Sequence, residues 1–126
     1  MLPLTILMTK DIKKISSKST LFESAQYMKR CKVGSLLVED GSECIGILSE
    51  TDLVRKCLAE SVDPHKLTVD AVMSAPLISI DLKKSPKEAS DIMSEKGIRH
   101  LAVTEHGRIV GMLSVRDLLI YYKNAF

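Results

Sequence analysis

The stretch GMLSVRDLL, Gly111 to Leu119, stands near the end of the chain, and a near copy, GILSETDLV, already occupies Gly46 to Val54. The two share Gly, Leu, Ser, Asp and Leu at matched places, 65 positions apart. A fixed offset between two such runs points to a tandem repeat, and a repeat governs every later reading of the chain.

Sliding the sequence by 65 tests this. Met8 falls on Met73, Ile15 on Ile80, Glu23 on Glu88 and Met28 on Met93. Leu36 meets Leu101, Val38 meets Val103, Gly46 meets Gly111, Leu48-Ser49 meets Leu113-Ser114, and Asp52-Leu53 meets Asp117-Leu118. Between these identities apolar character is kept, as at Ile12/Leu77, Val33/Ile98 and Ile45/Val110. The register runs without a gap, so the chain divides into residues 1–61 and 62–126.

Caps and periods predict the elements of each copy. A short extended piece comes first, Ile12 to Ile15 and Leu77 to Ile80. A helix follows, opened by a capping box: Thr20 lies three before Glu23, and Ser85 three before Glu88, with Pro86 at the first helical position. Phe22, Ala25 and Met28 have helical spacing, as do Ala89, Ile92 and Met93. Gly97 reads as a helix stop. Two strands then flank a turn, Asp40-Gly41 in one copy and His106-Gly107 in the other, where glycine supplies positive φ. A second helix is expected from about Glu50 to Glu60 and from Val115 to Tyr122. In the connection SVDPHKLTVDA, Asp63-Pro64 marks a break and Thr68 is expected to cap one helical turn. The expected fold is α+β: two β-α-β-β-α repeats, each too small to hold a core alone, packed with pseudo-two-fold symmetry into one module.

Composition limits the function. With 45% apolar and 27% charged residues, the chain reads as globular. No apolar run approaches the ~18 residues of a membrane helix. MLPLTILM has no basic residue ahead of its apolar part and reads poorly as a signal peptide, so a cytoplasmic protein is expected. Cys31, Cys44 and Cys57 are odd in number and form no Cys-x-x-Cys pair; reduced, buried or half-buried thiols are expected rather than disulfides or zinc. A net charge of +2, dispersed along the chain, with 4% aromatics, is a weak footprint for nucleic acid. No phosphate loop, Gly-rich dinucleotide turn or metal-ligand cluster appears, so no enzyme and no metal site is expected.

The element order and the doubled Gly-x-x-Ser-x-x-Asp ending, with KGIRHLAV and GRIVGMLSVRDLL, resemble a tandem pair of CBS domains, named after cystathionine β-synthase. The resemblance covers about Met8 to Lys123 and is closest to the stand-alone form. It implies a non-catalytic sensor that needs no cofactor. Such a sensor takes an adenosine-containing regulatory ligand (AMP, ADP, ATP or S-adenosylmethionine) in clefts between the copies. It also implies a disc-shaped dimer of two pairs and an effector protein downstream.

Residue by residue, the resemblance assigns Asp52 and Asp117 to ribose hydroxyls, and Ser49 and Ser114 with their neighbours to phosphate. Physically, each Ser-x-x-Asp is a helix cap first; a helix start also offers free N–H groups to an anion. The copies differ between the Ser and the Asp. Arg116 can pair with phosphate, whereas Glu50, beside Thr51, repels it, so unequal sites are expected. Arg99 and His100 lead into the middle strand of the second copy, where the first has Gly34 and Ser35. Lys14 and Ser79 are expected to face the ligand if Ile15 and Ile80 point inward.

The run VRDLLIYYK is apolar round its whole circumference, because each helical residue advances ~100° about the axis. Leu119, Ile120, Tyr121 and Tyr122 are thus expected in a homodimer contact, while Arg55 and Lys56 hold the solvent side of the matching helix. Two other readings stay open: a pure protein-interaction or dimerisation module, and a nucleic-acid-binding regulator.

Overall fold

The computed structural model of the chain describes residues 3–125. Its elements are α1 (Leu4–Leu7), β1 (Lys14–Ser16), α2 (Leu21–Cys31), β2 (Ser35–Asp40), β3 (Glu43–Ser49) and α3 (Glu50–Asp52), then β4 (Ser79–Asp81), α4 (Pro86–Lys96), β5 (His100–Glu105), β6 (Arg108–Ser114) and α5 (Val115–Ala125). The fold is mixed α and β with two three-stranded sheets, β1-β2-β3 and β4-β5-β6.

The repeat holds down to the register of each sheet. Lys14 pairs with Leu37 and Ser79 with Ala102 in the parallel halves; Ser35 pairs with Ser49 and His100 with Ser114 in the antiparallel halves. Even the bulges match, between Val38 and Glu39 and between Val103 and Thr104. The hairpins differ. His106 and Gly107 both have positive φ, as a two-residue type I′ turn requires, whereas in the first hairpin Gly41 alone does.

Both capping boxes form as expected. Glu23 N–H donates to Thr20 Oγ1, and Thr20 N–H donates to Glu23 Oε1; Ser85 and Glu88 make the same exchange. Gly97 ends α4 in the left-handed region, and Lys32 does so for α2. Some expectations move. The first strands begin two residues later, at Lys14 and Ser79. The buried face of α2 is Leu21, Ser24 and Met28, while Phe22 and Ala25 face out. Phe22 instead lies against the His65 ring, 4.2 Å between centroids. The Thr68 hydroxyl donates to the Asp70 carboxylate and accepts no backbone N–H of the short turn Val69–Ala71, so the expected cap does not form. The expected helix over residues 50–60 is α only to Asp52; Leu53–Leu58 is wound wider, with Ala59 N–H reaching back five residues to Val54 O.

The compact units do not follow the repeat boundary at 61. One is Lys13–Leu77; the other joins the described residues of 1–12 to those of 78–126. In the first unit, Leu36, Val38 and Leu48 of the sheet pack with Leu21, Met28, Cys57, Val69 and Val72. In the second, Leu101, Val103 and Leu113 pack with Ala89, Met93, Leu118, Leu4 and Leu7. Leu4 and Leu7 stand 65 positions before Val69 and Val72, so the lead-in to each repeat completes the core of the unit built on the other repeat's sheet. Each buried Leu or Val contributes about 1.5–3 kcal/mol. The lead-ins also bridge the outer strands, Ile47 with Ser74 and Met112 with Thr9. That approach requires glycine: a Cβ on Gly46 would lie 2.6 Å from Ser74 O, and one on Gly111 would lie 2.5 Å from Met8 Sδ and 3.0 Å from Thr9 O.

Candidate functional site

The candidate residues gather where β3 and β6 end and the next helix begins. In the second repeat the hairpin register sets His100 opposite Ser114, and Val115 N–H donates to Arg99 O at 2.9 Å. Arg99, His100, Ser114, Arg116 and Asp117 are therefore brought to one end of one sheet. Arg99 and Arg116 are exposed; His100, Ser114 and Asp117 are half-buried. Asp117 and Ser114 cap each other: Ser114 N–H donates to Asp117 Oδ2 at 2.8 Å, and Asp117 N–H donates to Ser114 Oγ at 3.1 Å. Among the described residues no donor reaches Asp117 Oδ1.

The matching place in the first repeat is built differently. Ser49 and Asp52 make the same cap, with Ser49 N–H on Asp52 Oδ2 at 3.0 Å and Asp52 N–H on Ser49 Oγ at 3.2 Å. Here Asp52 is only 5% exposed. Its Oδ1 accepts from the Ser74 hydroxyl at 3.0 Å and faces the Lys56 ammonium at 3.0 Å. Lys56 Nζ also donates to Val72 O at 3.0 Å. Glu50 N–H donates to Gly34 O at 3.0 Å, and the Glu50 side chain lies where a Cβ on Gly34 would collide with its Oε1. Thr51 is half-buried. Over five matched positions the two sites carry opposite charge: Gly34, Glu50, Thr51, Asp52 and Lys56 sum to −1, whereas Arg99, Val115, Arg116, Asp117 and Tyr121 sum to +1.

Lys14 and Ser79 lie apart from this end, on β1 and β4 beyond the middle strands. Both are exposed, with Ile15 half-buried and Ile80 buried between exposed neighbours, so the expected alternation holds. Lys14 Nζ is 3.9 Å from Glu39 Oε2, a loose pairing across the sheet.

Lys56, Ser74 and the Glu50–Gly34 contact lie outside the expected set. Lys56, expected on the solvent side, turns inward to Asp52. Its i, i+4 spacing from an aspartate is a legible signal. Ser74 is 22 residues from Asp52, and only its 65-residue offset from Thr9 hints at a role.

The thiols are free: Cys57 buried, Cys31 and Cys44 half-buried. Burial pushes the Cys44 thiol above its ordinary pKa, which keeps it protonated. Among the described residues no group of three or more His, Cys, Asp or Glu is placed to hold a metal ion, and no helix is long and apolar enough to cross a membrane.

Comparison with known proteins agrees with the repeat. The CBS domain family matches residues 5–59 and 69–124. An uncharacterised protein of Methanopyrus kandleri is 31% identical over 112 residues, which is 87% of this chain and 57% of that protein. The CBS domain-containing protein YhcV of Bacillus subtilis is 29% identical over 113 residues, 90% of this chain and 80% of that one. A candidate signal-transduction protein with CBS domains from Burkholderia ambifaria superimposes with a TM-score of 0.86 at 26% identity, over 90% of this chain and 83% of that one. Two matched repeats, two sheets in the same register and these likenesses place the chain in the CBS-domain family, as a tandem pair of CBS domains.

Proposed function

We propose that the chain is a regulatory module, without catalysis of its own, that binds an adenosine-containing ligand through its second repeat. One observation carries the reading. Asp117 Oδ1 meets no donor among the described residues, and exposed Arg116 and Arg99 stand at the same end of the sheet. A carboxylate with free lone pairs accepts the two hydroxyls of a ribose, and guanidinium groups beside it take a phosphate in two-pronged fashion. AMP, ADP, ATP and S-adenosylmethionine all present the ribose; the arginines favour the phosphorylated three. The name of the Burkholderia relative, in signal transduction, supports a regulatory role rather than an enzymatic one. The test is thermal denaturation with each of the four compounds. A binding ligand at a hundred-fold excess over its Kd stabilises the fold by ~2.7 kcal/mol. No shift with any of them at millimolar concentration refutes ligand binding.

A second reading concerns assembly. Among the described side chains of α5 only Leu118 is buried; Leu119 is 62% and Ile120 53% exposed, and Tyr121 and Tyr122 are half-buried against the core. A groove of about 260 Å³ runs beside them between α4 and α5, lined by Met93, Ser94, Val115, Leu119 and Tyr122. Exposed apolar side chains so grouped favour a homodimer through α5. Sedimentation at micromolar concentration should give twice the chain mass, and Ile120→Glu with Tyr121→Glu should give a monomer. Wild type sedimenting as a monomer removes the dimer.

A further inference from the structure

We infer that Asp52 has left ligand binding for a structural task, so that each chain takes up one adenosine ligand and not two. The inference rests on the proposed binding at Asp117 and adds what the first repeat does instead. An ionised carboxylate has about four lone-pair directions. At Asp52 three are taken by hydrogen bonds: Oδ2 receives the Ser49 N–H at 3.0 Å and the Ser49 hydroxyl at 3.2 Å, and Oδ1 receives the Ser74 hydroxyl at 3.0 Å, while the Lys56 ammonium stands 3.0 Å from Oδ1 as its ion-pair partner. A ribose diol would have to displace Lys56 and Ser74 from a carboxylate that is nearly buried.

These donors tie distant parts of one unit. Lys56 joins the wide turn after α3 to Val72 O and to Asp52, and Ser74 is the residue bridged to Ile47 on β3. Asp52 is thus the knot between strand, helix and lead-in. At the matched positions the unit built on the second sheet has Tyr121 for Lys56 and Thr9 for Ser74. Tyr121 packs on the apolar core and brings no cation to Asp117. Glu50 completes the difference, because its carboxylate stands where Val115 leaves the helix start neutral, and it repels a phosphate there.

The test is calorimetry of the full chain with AMP and with ATP, beside thermal denaturation of the variants. One ligand per chain is expected. Asp117→Asn and Arg116→Ala should each weaken ATP binding about tenfold or more. Asp52→Asn and Lys56→Met should leave affinity within about twofold and lower the Tm by about 4 °C or more. Two ligands per chain, or equal losses from Asp52→Asn and Asp117→Asn, overturn the inference. If neither nucleotide gives heat, the binding proposal fails by itself. The knot is then judged by the cycle of Asp52→Asn, Lys56→Met and the double variant, and strictly additive Tm losses refute it.

Discussion

The two repeats share strand order, register, bulges and capping boxes, yet they treat the same aspartate in opposite ways. Asp52 is buried beneath a lysine and a serine; Asp117 keeps one oxygen clear of donors among the described residues and shares its end of the sheet with two arginines. A duplicated motif therefore marks a duplicated fold before it marks a duplicated activity. The side chain four residues along the helix differs with it: Lys56 faces Asp52, whereas Tyr121 packs on the apolar core.

The largest effect expected from this contrast is on stability. Asp52→Ala takes the acceptor from the Ser49 N–H and the Ser74 hydroxyl and the counter-ion from Lys56, which keeps Val72 O; it should cost about 3 kcal/mol, the lower part of the range for a broken buried pair because Lys56 still reaches water. Asp117→Ala removes only a cap and should cost about 1 kcal/mol. Urea unfolding of both variants measures the difference, and equal costs would break the comparison.

The glycines sharpen it further. A Cβ on Gly46 meets the backbone oxygen of Ser74, which cannot yield without opening the Ile47 bridge; on Gly111 the tightest contact is the flexible end of Met8. Gly46→Ala should cost about 2 kcal/mol and Gly111→Ala less, since overpacking is relieved where a side chain can swing away. A larger loss at Gly111 would show that the lead-in at Met8-Thr9 is the more rigid.

The smallest effect is one the repeats share. The backbone N–H of Thr20, and then its hydroxyl, hold the Glu23 carboxyl below its ordinary value; the Ser85 N–H does the same for Glu88. A lowered folded-state value gives stability that is complete above the ordinary 4.5 and lost as pH falls through the lower folded-state values. The urea midpoint should fall in that window, and Glu23→Gln with Glu88→Gln should flatten the fall. Both carboxyls are exposed, so the change is small.

Local physics was the legible part of this molecule. Capping boxes, the Gly97 stop and the glycine turns are decided within a few residues, and the 65-residue offset carries strand pairing from one copy to the other. What escaped is set at long range. The buried side of α2 shows Leu21 and Ser24 rather than Phe22 and Ala25, because a helix with apolar residues on two faces turns whichever one the sheet accepts. The wide turn Leu53–Leu58 coincides with the tether from Lys56 to Val72 O, which no propensity in LVRKCL encodes. Ser74 reaches Asp52 only because its segment bridges β3. At the site, the inequality of the two repeats was legible in Glu50 and Arg116; the burial of Asp52 under Lys56 and Ser74 was not, because it is set by packing.

The exchanged lead-ins also set a timetable. The bridge from Ile47 to Ser74 closes 27 residues and lies within one continuous stretch, Lys13–Leu77; the bridge from Thr9 to Met112 closes 103. The longer closure costs about 1 kcal/mol more chain entropy. On a ribosome, the continuous unit has every part it needs before the second sheet is made, whereas Thr9 must wait for β6 to emerge. Pulsed hydrogen exchange during refolding reads this order directly: the Ile47 amide, held by Ser74 O, should gain protection before the Met112 amide, held by Thr9 O. The segment Leu4–Thr9 is thereby made well before the sheet it joins and is among the last to find its place.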